Sequence, residues 1–178
     1  MTAPQTLEEE LAQLPLLNWF WIKPEQLEFT GRVREVCRQE CPMYGKTWAC
    51  PPAVGTVEAC EARCRTFSDC LVIATAAEVE DITNLEQTLA TRGPHERITD
   101  QVRDLLARQG REAYVLSTEA CALCQRCAYL DGESCRFPEK MHPCVESHGI
   151  NLIPVLEANG LDFQFGSHVV TWVSLLFC

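Results

Sequence analysis

The order of elements along the chain predicts an α+β fold: a small sheet with helices packed against it and two cysteine-rich, metal-binding loops at one end. Three observations predict it. Two apolar runs, Cys70–Ala76 and His168–Cys178, carry the β-branched and aromatic residues that suit strands. Between them lie long polar stretches with helix-forming composition. The cysteines fall mainly into two groups, six from position 37 to 70 and five from 121 to 144, with Cys178 alone at the end.

Taken in order, Thr6 followed by Glu9 has the pattern of a capping box, so a short helix runs to about Leu14. Pro15 and Pro24 punctuate the next segment, and Leu14–Ile22 reads as a core element. Gln26–Val36 has strand character, and Cys37–Cys50 is rich in turn residues. Thr56 can cap a helix over Val57–Phe67, ended by Ser68 and Asp69. A buried strand comes next at Cys70–Ala76. Asp81–Gln109 is helix-forming but contains Gly93-Pro94, so two helices are expected, the second over Glu96–Arg108 with Gly110 as its C-terminal cap. Ala113–Ser117 is a second strand, and Cys121–Cys144 is irregular. Asn151 is placed to cap a helix that has Pro154 in its first turn and ends at Gly160. The whole of 1–178 reads as a single metal-binding domain with an N-terminal helical extension over about residues 1–24.

With 178 residues, 47% of them apolar, the chain can bury a real core. A net charge of −10 argues against nucleic acid, whose phosphates call for basic patches. It suits a basic protein partner, and equally plain solubility. The first ten residues, Met-Thr-Ala-Pro-Gln-Thr-Leu-Glu-Glu-Glu, have no basic n-region, so a cytoplasmic location is expected. There, thiols rather than disulfides are the default, and 12 cysteines point to metal. No apolar run reaches the roughly 18 residues of a membrane-spanning helix. No hydrolase triad spacing, zinc-protease motif, dinucleotide fingerprint or phosphate-binding loop is present.

Cys121-Ala-Leu-Cys124-Gln-Arg-Cys127 is a C-x2-C-x2-C run. That spacing wraps a short loop around one cubane and sets three thiolates on three irons. Cys135 is the nearest fourth ligand and Cys144 the alternative. Zinc sites more often use paired C-x2-C knuckles set far apart, which favours iron–sulfur here. The first group, Cys37, Cys41, Cys50 and Cys60, is looser. Proline comes directly after both Cys41 and Cys50 and can turn the chain away after each ligand, and Gly45 allows the reversal between them. Cys64 could replace Cys60 or simply pack in a core, as Cys70 does. Tyr44, Trp48 and Phe137 can shield a cluster or only fill space. Lys46, Arg38, Arg126 and Arg136 can offset its negative charge or remain solvated. His142 and His148 lie close enough in sequence to Cys135 and Cys144 to be considered as ligands.

Taken together, Cys41-Pro-x-Tyr-Gly-Lys-x-Trp-x-Cys50-Pro-Pro, Cys121-x2-Cys124-x2-Cys127, Cys135-Arg-x-Pro-Glu-Lys and Glu146-x-x-Gly-Ile resemble the predicted metal-binding proteins of domain of unknown function 2284. The resemblance covers roughly residues 25 to 178. It implies a cytoplasmic metal-binding protein, iron–sulfur in character, and no assigned reaction.

The leading expectation is a protein with two [4Fe-4S] clusters that passes electrons to or from a redox partner. Its ligands are Cys37, Cys41, Cys50 and Cys60 in one site and Cys121, Cys124, Cys127 and Cys135 in the other. A structural zinc-binding interaction module is the alternative, as is an iron–sulfur enzyme with one cluster open to substrate.

Overall fold

The computed structural model describes residues 6–161 and 168–178. The fold is α+β. A four-stranded antiparallel sheet is built from β1 (Asn18–Ile22), β3 (Cys70–Glu78), β4 (Tyr114–Leu116) and β6 (Val169–Phe177), in the order β1-β3-β6-β4. β3 and β6 run side by side along their full lengths, from Cys70↔Phe177 to Glu78↔Val169. A two-stranded ladder, β2 (Glu28–Phe29) with β5 (Ile150–Asn151), stands apart. The helices are α1 (Leu7–Leu11), α2 (Gly31–Glu40), α3 (Val57–Cys64), α4 (Leu85–Ala90), α5 (Arg92–Arg108) and α6 (Ile153–Ala158). Among the described residues, no helix is long and apolar enough to cross a membrane.

The period-two alternation of strand side chains gives the sheet two apolar faces. Leu71 and Ile73 of β3, Val115 of β4 and Leu176 of β6 meet Leu7 and Leu11 of α1 and Val102, Leu105 and Leu106 of α5. On the other side Cys70, Val72, Leu116, Val173, Leu175 and Phe177 meet Cys64 of α3 and Val155 and Leu156 of α6. Helices therefore cover both faces.

The local signals hold where short-range chemistry decides. The Thr6 box forms with both of its bonds: Glu9 N–H donates to Thr6 Oγ1 and Thr6 N–H to Glu9 Oε2. Thr56 accepts from Ala59 N–H and starts α3.

Four expectations differ from the structure. Gln26–Val36 is a strand only at Glu28–Phe29; Thr30 then caps α2 by accepting from Arg32 N–H. The valines at 33 and 36 suggest a strand, but the helix lets Cys37 be buried while Arg32, Arg38 and Glu40 stay outside. The two helices expected over Asp81–Gln109 form as α4 and α5, but the break falls at Thr91. Gly93-Pro94 lies in the first turn of α5, where the missing proline N–H has no intrahelical acceptor to lose. Asn151 does not cap α6; it pairs with Glu28 in the small ladder, its Nδ2 donating to Glu28 Oε2 at 2.6 Å, and the α6 N-cap is Leu152. Among the described residues of the expected helical extension, Leu7–Leu11 is α-helical, a 3-10 turn begins at Pro24, and Asn18–Ile22 is an edge strand of the main sheet. Its Trp-Phe-Trp-Ile composition suits a strand better than a helix. Residues 1–5 of that stretch lie outside the described residues.

One polar cluster interrupts the apolar layer under α5. His95, 1% exposed, has Nδ1 at 2.8 Å from Thr75 Oγ1 and Nε2 at 2.8 Å from Ser174 Oγ. Thr99 and Ser117 approach the same Ser174 hydroxyl at 3.0 and 3.1 Å. The cluster satisfies its members internally, as buried polar groups require. Burial, with Arg92 nearby, lowers the His95 pKa to about 4, so the imidazole is neutral at pH 7.

Candidate metal centre

The two cysteine groups form two recesses. In the second group Cys127 precedes a 3-10 turn, Ala128–Asp131, which Gly132 ends in the left-handed conformation. Leu130 N–H closes back onto the Cys127 carbonyl, and Arg136 Nη1 donates to the Arg126 carbonyl at 2.8 Å. These bonds fold the segment so that Cys121, Cys124, Cys127 and Cys135 line one recess, together with Trp48, Leu123, Phe137 and Met141. All four expected ligands of this group are thus brought together.

The first group is assembled from separate places. Cys37 lies in the last turn of α2, and Cys41 is the residue that ends it, one turn on. Gly45, at φ +69°, reverses the loop, and its N–H donates to the Pro51 carbonyl at 2.8 Å. Cys50 N–H in turn donates to Thr47 O. Cys37, Cys41 and Cys50 line a recess of ≈ 420 Å³ with Tyr44, Glu40, Glu119, Glu146 and Cys144.

Cys60 lies elsewhere. It is fully buried in α3, with Sγ 3.4 Å from the Val54 carbonyl and Arg34 Nη2 donating to it at 3.6 Å. It lines neither cysteine recess. Cys64 and Cys70 are packed in the core. Spacing along the chain does not suggest that Cys144 approaches the first group; it suggests Cys144 only as a second choice for the other group. The histidines stay out of both recesses: His142 Nε2 sits 3.0 Å from Asp100, and His148 is buried between Tyr114 OH at 2.7 Å and Ser147 Oγ at 3.0 Å.

The two recesses adjoin. Trp48 comes from the first loop, yet its Nε1–H donates to the Glu133 carbonyl of the second at 2.9 Å, and its ring meets Tyr129 edge-on at 5.0 Å. Trp48→Phe keeps most of the ring contact and leaves that carbonyl without its donor. We expect a loss of about 1 kcal/mol, or roughly 2–4 °C in Tm, read by thermal denaturation. The extra amide exchange should be confined to residues 121–135.

The electrostatics report the same grouping. Burial pushes the Cys37 thiol up to about 11, with Glu146, Cys41 and Cys50 adding to the rise against Arg34. Cys50 is raised by burial and then by Cys41, Cys121 and Cys127, so it feels both groups. Cys121 is raised by burial, then by Cys135, Cys127 and Cys124, and Cys144 is pushed well up by burial, with Glu146 and Cys50 contributing. Neutral, crowded thiols of this kind ionise readily only when a cation shares the site.

All twelve cysteines are free. Four soft sulfur donors around one space, with no side-chain oxygen donor among the described residues that line the second recess, match iron–sulfur or zinc chemistry. The Thr47 hydroxyl, 2% exposed, has no oxygen or nitrogen partner among the described residues and faces Cys50, where it can donate to a thiolate. Among the described residues no three His, Cys, Asp or Glu side chains are arranged to hold an ion as they stand, so ligation at either recess needs rotation of thiols or movement of the loops. Cys41, Cys121, Cys124, Cys127 and Cys135 are half-buried and on irregular backbone, where such movement is easiest.

No curated protein and no solved structure matches the chain. A family model does, over residues 20–178, described as predicted metal-binding protein, and it takes in both cysteine groups. The chain belongs to that family, domain of unknown function 2284.

Proposed function

We propose that the protein binds two [4Fe-4S] clusters and passes electrons to or from a partner protein. The observation that carries this is the pair of adjoining recesses, each lined by four cysteines. Cys121, Cys124, Cys127 and Cys135 would hold one cluster; Cys37, Cys41 and Cys50, with one further ligand, would hold the other. Each cluster, when bound, supplies a one-electron couple whose potential the surroundings tune. The protein's own part is to hold the thiols and limit water. Trp48, Phe137 and Met141 screen the second recess and Tyr44 the first, while Arg136 places positive charge beside the second. The net charge of −10 favours a basic partner.

Anaerobically purified protein should be brown, with about eight irons and eight sulfides per chain and an absorbance band at about 400 nm that bleaches on reduction. Cys124→Ala should lower the iron content to about four per chain. A colourless protein with stoichiometric zinc, unaffected by reductant, would refute the cluster assignment.

Zinc has one observation in its favour. The second recess holds only ≈ 20 Å³ of free space, about one water, so one ion enters with less loop movement than a cubane. A closed tetrahedral site there would make the protein a structural zinc module for binding another protein. The same metal analysis separates the two.

A further inference from the structure

We propose that Cys144, and not Cys60, is the fourth ligand of the first cysteine site. This rests on reading that recess as a metal site, and it names a ligand that the spacing of the first group does not suggest.

Three observations place Cys144 there. It lines the same recess as Cys37, Cys41 and Cys50. The Cys37 thiol donates to the Glu146 carbonyl at 3.7 Å, so the end of α2 lies against the turn that Cys144 begins. The Cys144 backbone is held from both sides. Ser117 N–H donates to Pro143 O at 2.8 Å and Val145 N–H to Ser117 O at 3.1 Å. Ser147 donates to the Cys144 carbonyl through its N–H at 3.1 Å and its hydroxyl at 2.6 Å. A ligand held this firmly by the end of β4 loses little freedom on binding metal, which favours affinity.

Cys60 has the opposite setting. Its sulfur is already engaged by the Val54 carbonyl and the Arg34 guanidinium, and it is fully buried inside α3. Bringing it to the recess would mean turning α3 about its axis and exposing Cys64, which packs in the core. The carboxylates that share the recess, Glu40, Glu119 and Glu146, are hard oxygen donors and match a thiolate site less well than a fourth sulfur does.

The consequence is structural as well as chemical. With Cys144 as ligand, metal in the first site clamps the end of α2 and the Cys41–Cys50 loop to the segment that leaves the second loop. Occupancy of one site would then stiffen the support of the other, and metal binding becomes part of folding.

The test compares Cys37→Ala, Cys144→Ala, Cys60→Ala and Glu146→Gln in the full chain, reconstituted anaerobically with iron and sulfide. Wild type and Cys60→Ala should each hold about eight irons, and Cys37→Ala and Cys144→Ala about four. Glu146→Gln should match wild type. Thiol alkylation read by mass spectrometry on the wild type alone avoids variants that fail to fold. Chelation should make Cys144 reactive together with Cys37, Cys41 and Cys50, while Cys60 stays protected in both states. If Cys144→Ala keeps a full complement, or Cys60 rather than Cys144 gains reactivity on chelation, the assignment of Cys144 is wrong although the protein binds metal. If wild type takes up neither iron nor zinc, the metal reading fails and the assignment with it.

Discussion

Lowering the pH from 7 to about 4 should destabilise the folded chain by roughly 3 kcal/mol through His95 alone. The imidazole sits between the Thr75 and Ser174 hydroxyls, 1% exposed, and burial holds its pKa at about 4 against an ordinary 6.5. The unfolded chain takes up a proton near 6.5, and the folded chain does not until near 4. Across that window the unfolded state binds more protons, so stability is full above 6.5 and falls as the pH drops. His148, lowered to about 3 by burial with Arg63 and Arg34 adding, acts in the same direction. Urea denaturation midpoints at pH 7 and 4.5 measure the combined loss. His95→Gln should flatten the pH dependence markedly while lowering stability at pH 7, because it removes the titrating group and disturbs the hydroxyl cluster. Comparing the variant with wild type at each pH cancels any acid loss of bound metal. Equal pH slopes for the two proteins would contradict the account.

Gly149→Ala is expected to cost about 3 kcal/mol, a large fraction of the stability of a domain this size. Gly149 is at φ +75°, and a Cβ there would lie 2.9 Å from the Thr30 carbonyl oxygen and 3.0 and 3.1 Å from the Val57 methyls. The left-handed conformation alone costs a non-glycine residue about 1–2 kcal/mol. The rest comes from the clash. The Thr30 oxygen is backbone, held close because Thr30 N–H donates to the Gly149 carbonyl at 2.7 Å, so it cannot swing aside as a flexible side chain would. Gly110→Ala is the control: its φ is +76°, but none of the described residues comes within 4 Å of the new Cβ, so only the roughly 1–2 kcal/mol of conformational strain applies. A Gly149→Ala cost no larger than that of Gly110→Ala, by chemical denaturation, would show that the contact yields. Because Gly149 anchors the start of α2, which carries Cys37, the variant should also weaken metal retention at the first site more than at the second.

The parts of this protein legible in the sequence are those whose chemistry is local. Cys70–Glu78 and Val169–Phe177 are strands because their apolar, β-branched residues suit burial on both faces of a central position. The capping residues Thr6 and Thr56 announce α1 and α3 because the acceptor and the N–H it satisfies are three residues apart. Cys121, Cys124 and Cys127 are visible as a group for the same reason: a C-x2-C-x2-C loop can gather its own thiols. The polar cluster around His95 is harder to see, and Thr75 and Ser174, standing in otherwise apolar strands, are the available sign of it.

The sequence by itself determined an α+β protein with two cysteine groups and the Cys121-Cys124-Cys127 loop of the second, leaving Cys135 and Cys144 as alternatives for its fourth member. Tertiary structure alone decided that Gly31–Glu40 is a helix, since its valines are equally at home in a strand until Cys37 finds a buried neighbour. It also decided that Cys144 lies with Cys37, Cys41 and Cys50 while Cys60 does not. Spacing can predict which residues meet within one loop or one helical turn. It says nothing about residues brought together by the pairing of Ser117 with Cys144 and the packing of α2 on the turn at Glu146–His148, because those contacts depend on the whole fold.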